Sequence, residues 1–360
     1  MSKKKKGNKV VIILIIILVI LIVGLGAFVY LNKVFTNSTT RYSSYYQEPE
    51  NSLDGIYLGS SAAYDFFMPT RAYEEEGICI YNLGTTVQPS CIQKNIIADA
   101  LRTQDDMDVI VIELRNMVKA NNDNIQRYIR SVTDGMHWGS DRFDAIDTAL
   151  AYYKEMGEKG NYNKWSYYFP AVRVVHAGSY GLTKKDLLLK KNPKTPYKGF
   201  SVNGCEVIGG LPDPVEYKDE AEITDLQERT LRELLDYCKT IEPEVIFVST
   251  PFNPNTGYEY KLGQMNTLCR ICEEEGFTAL NFNQEPLKSE LDVDWKKDYR
   301  DRAHTNAFGA ARYSTMLAGW LRQNVDSLKD DHRGEAGYED WDKQAEDLNA
   351  YLKENLKGWK

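Results

Sequence analysis

From Val10 to Leu31 the chain is apolar without a break, and Lys3, Lys4, Lys5, Lys6 and Lys9 stand directly before it. A helix needs about 20 such residues to cross a hydrocarbon core, so the stretch reads as a transmembrane helix. A cleaved signal peptide has a shorter apolar region, about 7 to 15 residues, ahead of a small-residue site, and "VGLGAFVY" is a weak match to one. No cysteine follows closely that could take a lipid. The lysines favour a cytoplasmic N-terminus, which puts the rest of the chain outside the membrane. The expected organisation is a basic cytoplasmic segment over residues 1–9, a span over 10–31 and a polar stalk over 32–52. A domain over 53–325 and a charged helical tail over 326–360 follow.

Within the domain, the apolar runs "GIYLGSS", "ICIYNLGTT" and "MDVIVIELRN" each end in turn chemistry and are separated by stretches long enough for a crossover helix. The rhythm resumes with the amphipathic "ITDLQERTLRELLDYCKTIEPE", the buried-strand pattern "VIFVSTPF", a helix "LGQMNTLCRICEEEGF", a strand "TALNFNQ" and the closing helix "NAFGAARYSTMLAGWLRQN". Strands alternating with helices predict an α/β fold, a doubly wound, flavodoxin-like parallel sheet of five strands whose ligands bind beyond the carboxyl ends of the strands. Residues 118–225 interrupt the pattern and read as an insertion after the third strand. In the tail, Trp341, Ala345, Leu348, Leu352 and Leu356 recur at helical spacing and predict a peripheral helix.

A formal charge of −8, spread along the chain beyond residue 40, argues against a polyanion-binding surface and excludes nucleic acid as a partner. Cys79, Cys91, Cys205, Cys238, Cys269 and Cys272 do not fix a disulfide framework. The pair in "CRIC" lacks a second pair or a nearby histidine to complete a zinc site, and reads as buried helix residues. Nothing in the sequence calls for a metal or another cofactor.

Two short motifs carry chemistry. Gly59, Ser60 and Ser61 close the first strand at the ligand-binding edge, where a serine is either a nucleophile or a turn residue. Asp301 and His304 stand three apart on an irregular loop or first helical turn before the closing helix. His304 suits a general base for a serine hydroxyl, with Asp301 holding its tautomer. The bland alternative makes Asp301 a turn residue and Thr305 or Asn306 the cap of the helix.

Taken together, "GSS" at Gly59–Ser61 and "DRAH" at Asp301–His304 resemble the SGNH hydrolase superfamily, the GDSL-like esterases, in which an early Gly-x-Ser is answered by a late Asp-x-x-His. The resemblance implies Ser61 as nucleophile, with His304 and Asp301 completing a triad. It also implies Gly84, in "YNLGTT", as an oxyanion donor. The family's Gly-x-Asn-Asp after the third strand is absent. "ELRNM" stands there instead, leaving Asn116, Arg115 or no residue at all as the donor. The anchor, "YLGSS", "YNLG", "TPF" at Thr250–Phe252 and "D-x-x-H-x-N-x-x-G" are similar to membrane-anchored bacterial members linked to polysaccharide O-acylation or teichoic acid D-alanylation. That similarity implies an extracytoplasmic serine esterase or O-acyltransferase acting on acyl esters of cell-envelope glycans. Acylated polysaccharide or teichoic acid is then its substrate, and a membrane-bound O-acyltransferase its candidate partner. The alternative is a catalytically silent scaffold that binds glycan or that acyltransferase.

Weaker expectations complete the reading. His137 and His176 lie in the insertion and read as hydrogen-bonded structural residues. Tyr162, Trp165, Tyr167, Tyr168 and Phe169 form either a sugar-stacking wall or a packed cluster. His332, in the charged tail, reads as solvated.

Overall fold

The computed structural model describes residues 2–36, 40–118, 124–172, 195–202 and 211–359. It divides into two compact units, Met1–Asn37 with Tyr162–Asn192, and Ser38–Asn161 with Pro193–Lys360.

The first unit is dominated by the helix Ser2–Phe35, whose portion Lys9–Phe35 is long and apolar enough to cross a membrane. The apolar side chains from Val10 to Val23 point outward, an arrangement that water would penalise and hydrocarbon would not. The aromatic run belongs to this unit and is used for packing. Trp165 stacks on Phe169 at 6.0 Å, and Phe169 meets Phe28 at 5.5 Å. Asn32 Oδ1 accepts the Ala171 N–H at 2.9 Å.

The second unit is built on one sheet. Its strands are β1 (Gly55–Leu58), β2 (Ile80–Asn82), β3 (Val109–Glu113), β4 (Glu244–Ser249) and β5 (Thr278–Asn281), ordered β2-β1-β3-β4-β5 and all parallel. Tyr57, Val111 and Val248 join one core with Phe66, Tyr313 and Leu317, while Ile56, Leu58, Ile110, Ile112 and Phe247 are just as fully buried. Both faces of the sheet are therefore covered, which explains why these strands read as continuous apolar runs rather than alternating ones. The order reverses direction between β1 and β3, the place where loops diverge and a crevice opens.

Between β3 and β4 come the helices Ile125–Thr133 and Ser140–Glu155, and the helix Asp225–Cys238, opened by a reciprocal capping box of Thr224 and Gln227. The closing helix Ala307–Asn324 starts at Asn306, whose side chain accepts from the N–H groups of Phe308 and Gly309. Tyr57 and Tyr313 pair their buried hydroxyls at 2.8 Å and tie β1 to this helix, each answering a group that would be costly to bury alone. The last helix, Glu339–Asn355, buries Trp341, Ala345, Leu348 and Leu352, with Leu356 buried just beyond it, as their spacing predicts.

One boundary differs from expectation. The segment read as a stalk forms a short helix, Thr40–Tyr45, that packs on the domain. Tyr42 and Tyr45 are buried, Tyr45 donates to the Ala100 carbonyl, and Tyr81 donates to that of Arg41. Counting polar letters hid this, because a tyrosine buries a large ring and needs only one partner for its hydroxyl.

Candidate active site

Beyond Leu58 the chain must turn sharply beside β3. Gly59 does so at φ 148°, and a side-chain carbon there would sit 2.7 Å from Glu113 Cβ, so glycine is demanded twice over. The two serines that follow divide the work. Ser60 is the N-cap, its hydroxyl accepting from the Ala62 N–H, and Ser61 is the first residue of the helix Ser61–Phe66. At that position an N–H has no acceptor within its own helix. The Ser61 hydroxyl stands 2.7 Å from His304 Nε2.

His304 is presented by a hairpin of β6 (Tyr299–Asp301) and β7 (His304–Thr305), in which Asp301 and His304 are cross-strand partners. The sequence suggested a loop or a first helical turn. Only two residues lie between the partners, and a tight antiparallel turn brings them face to face. Both Asp301 oxygens lie 2.9 Å from His304 Nδ1, and Oδ1 also accepts the Ala303 N–H at 2.8 Å. Burial alone would raise the Asp301 carboxyl. The His304 hydrogen bond, the Ala303 N–H and the nearby charges of His304 and Arg300 outweigh it and hold the group at about 2. Asp301 thus anchors the turn and faces the His304 ring, while Asn306 caps the helix.

The hairpin tip is held from two sides. Asn253, after β4, donates its N–H to the Arg302 carbonyl and accepts from the Arg302 guanidinium. Arg115, after β3, donates to the carbonyls of Ala303 and Pro251. Together they leave a cleft of about 270 Å³ lined by Ser61, His304, Arg115, Asn116, Phe252 and Lys261 among others.

The residues expected as oxyanion donors are differently engaged. The Gly84 N–H donates to Asn82 Oδ1 at 3.0 Å. A side-chain carbon at Gly84 would lie 2.8 Å from Ala63 Cβ, so glycine serves close packing of the β2 exit against the helix that carries Ser61. Asn116 lines the cleft, but its carboxamide donates to the Gln88 carbonyl. Ser61 and Arg115 also line the cleft, with the Arg115 guanidinium donating to the carbonyls of Ala303 and Pro251.

Two residues near the site escaped the sequence reading. Asp65, four positions after Ser61 on the same helix face, is 3% exposed, with Oδ2 3.1 Å from Arg300 Nη2 and 4.0 Å from His304 Nε2. The i, i+4 spacing was the available signal. Glu113 is fully buried at the end of β3, accepting from the Arg115 N–H and the Thr250 hydroxyl, and burial raises its carboxyl.

The remaining candidates lie elsewhere. His137 Nδ1 is 3.1 Å from Asp99 Oδ1, a structural pairing, and His176 and Cys205 lie outside the described residues. The other five cysteines are buried free thiols whose acidity burial suppresses. His332 is a correction. It is buried, with Nε2 3.0 Å from Asp54 and Nδ1 2.7 Å from Glu335, because the tail folds back across the start of β1. Compared with known proteins, the chain matches no family model, no curated protein and no solved structure.

Proposed function

We propose that this chain is a membrane-anchored serine esterase or O-acyltransferase of the SGNH type, with a doubly wound fold and an extracytoplasmic site working on acyl esters of envelope glycans. The observation that carries the reading is the unbroken line from the Ser61 hydroxyl to His304 Nε2 at 2.7 Å, and from His304 Nδ1 to Asp301 at 2.9 Å. A nucleophile, a base and a carboxylate that fixes the base's tautomer are what acyl transfer requires. Ser61 attacks the acyl carbonyl as its proton passes to His304. The Ser61 N–H and the Arg115 charge then face the oxyanion, and the leaving oxygen takes the proton back from His304. On this reading the acyl group enters the cleft of about 270 Å³ and the rest of the ester stays outside it.

One observation favours the silent-scaffold alternative: the Gly84 N–H and the Asn116 amide, both expected to face the oxyanion, already have protein acceptors. The deciding experiment is p-nitrophenyl acetate hydrolysis by the full chain in detergent, beside Ser61→Ala and His304→Ala. We expect turnover by the native protein and its loss in both variants. A folded native protein without turnover leaves the scaffold.

A further inference from the structure

Among the described residues, Asp65 is a carboxylate close to His304 that the proposed triad does not use. It sits one turn beyond Ser61 in the helix Ser61–Phe66, so that helix carries both the nucleophile and an acid aimed at the same imidazole. The 4.0 Å from Asp65 Oδ2 to His304 Nε2 is too long for a hydrogen bond and short enough for a strong field. The carboxylate is kept in place by Arg300 at 3.1 Å, and the Asp65 carbonyl accepts the Thr305 hydroxyl, locking helix to hairpin at both ends of the residue.

We infer that Asp65 is a positioning residue that holds negative charge beside Nε2 of His304 and stabilises the imidazolium formed when Ser61 is acylated. The inference rests on the proposed acyl-transfer reading. In that step the Ser61 O–H bond breaks, its proton goes to His304 Nε2, the new O–C bond forms, and the carbonyl electron pair moves to oxygen. Asp65 takes no proton. With Asp301 at Nδ1 and Asp65 beside Nε2, the ring gains its charge between two carboxylates rather than one.

The charged neighbours of Asp65 are Arg300 and His304 from the hairpin, Arg41 from the helix Thr40–Tyr45 and Arg115 from the loop after β3, and the neutral phenol of Tyr64 lies on its own helix. Burial pushes its carboxyl up and these cations pull it back, leaving it at about 6. Asp65 is therefore ionised at neutral pH, and its support fades as the solution becomes mildly acidic.

A plain structural ion pair between Asp65 and Arg300 would explain the same contact, so the test must read charge. The rate of Ser61 acylation by p-nitrophenyl acetate, and of its labelling by a fluorophosphonate, is followed against pH with the full chain in detergent. Asp65→Asn should slow acylation about tenfold or more and move the acid limb to lower pH by about one unit, the effect of a unit charge at this distance in a water-like medium. A limb displaced to lower pH in Asp65→Asn supports the inference. A slower rate with the limb unmoved leaves only a structural pair and overturns it. Should Asp65→Asn fail to fold, Asp65→Ser is read in the same way, and an unmoved limb again overturns the inference. A folded native protein that reacts with neither reagent overturns the acyl-transfer reading and the inference with it. A reactive native protein with unmoved limbs overturns the inference alone.

Discussion

At the amino end of β1, His332 meets Asp54; at its carboxyl end, Ser61 meets His304. Each histidine has a carboxylate three positions away in sequence bonded to Nδ1, Glu335 for His332 and Asp301 for His304. The difference lies at Nε2. For His332 that nitrogen faces a second carboxylate at 3.0 Å, and the hydrogen bond to Asp54 and the one to Glu335 outweigh burial and raise the ring to about 9. For His304 it faces a hydroxyl at 2.7 Å, with the second carboxylate withdrawn to 4.0 Å. A histidine bonded to acids on both sides is a fixed cation that fastens a tail. At His304 the second acid stands about 1 Å further back and a hydroxyl takes its place at Nε2, the arrangement that the proposed acyl transfer needs.

The largest effect should separate the two ends cleanly. Ser61→Ala or His304→Ala should lower ester turnover at least about a thousandfold, while the melting temperature stays close to that of the native protein. His332→Gln should do the reverse, leaving turnover near native and destabilising the fold by about 2 kcal/mol, the scale of a buried hydrogen bond to a charged group. If His332→Gln removed turnover while its melting curve stayed native, the two ends would not be independent. Asp301→Asn comes next and should cost about a hundredfold or more in turnover, because the amide can stabilise the wrong ring tautomer.

The same contrast marks what the sequence could reveal. The carboxyl end of β1 was legible: Gly-Ser-Ser after a buried run and Asp-x-x-His before a capped helix are local patterns, and an α/β sheet brings such ends together. The amino end was not. Asp54 precedes β1 by one residue and His332 lies in a highly charged tail, so no short-range pattern links them, and only the folding back of residues 326–360 makes the pair. Asp65 was hidden for a different reason, since an acid four residues after a serine is ordinary on any helix. Gly84 and Asn116 were found as letters at the right strand ends, yet where their donors point depends on Asn82 and on the Gln88 carbonyl, which no motif carries. The docking of the segment read as a stalk went unseen because burial of Tyr42 and Tyr45 is a tertiary event in a polar-looking segment.

The smallest expected effect sets the two ends against each other in pH. His332 is raised in the folded chain from 6.5 to about 9. Its contribution to stability is therefore complete below about 6.5 and is lost as the pH rises through about 9. Asp301 is lowered from 3.8 to about 2, so its contribution is present above about 4 and disappears as the pH falls through about 2. The clamp should thus loosen in alkali and the anchor of the hairpin in acid. Melting temperatures taken between pH 6.5 and 9.5 should fall for the native protein and fall less for His332→Gln, which has no such proton to lose. Between pH 4 and 2 the order should change, with Asp301→Asn the less sensitive variant and His332→Gln following the native curve. Parallel curves for all three proteins would mean that neither histidine environment sets the pH response, and that the other ionised groups of an acidic chain dominate both ends.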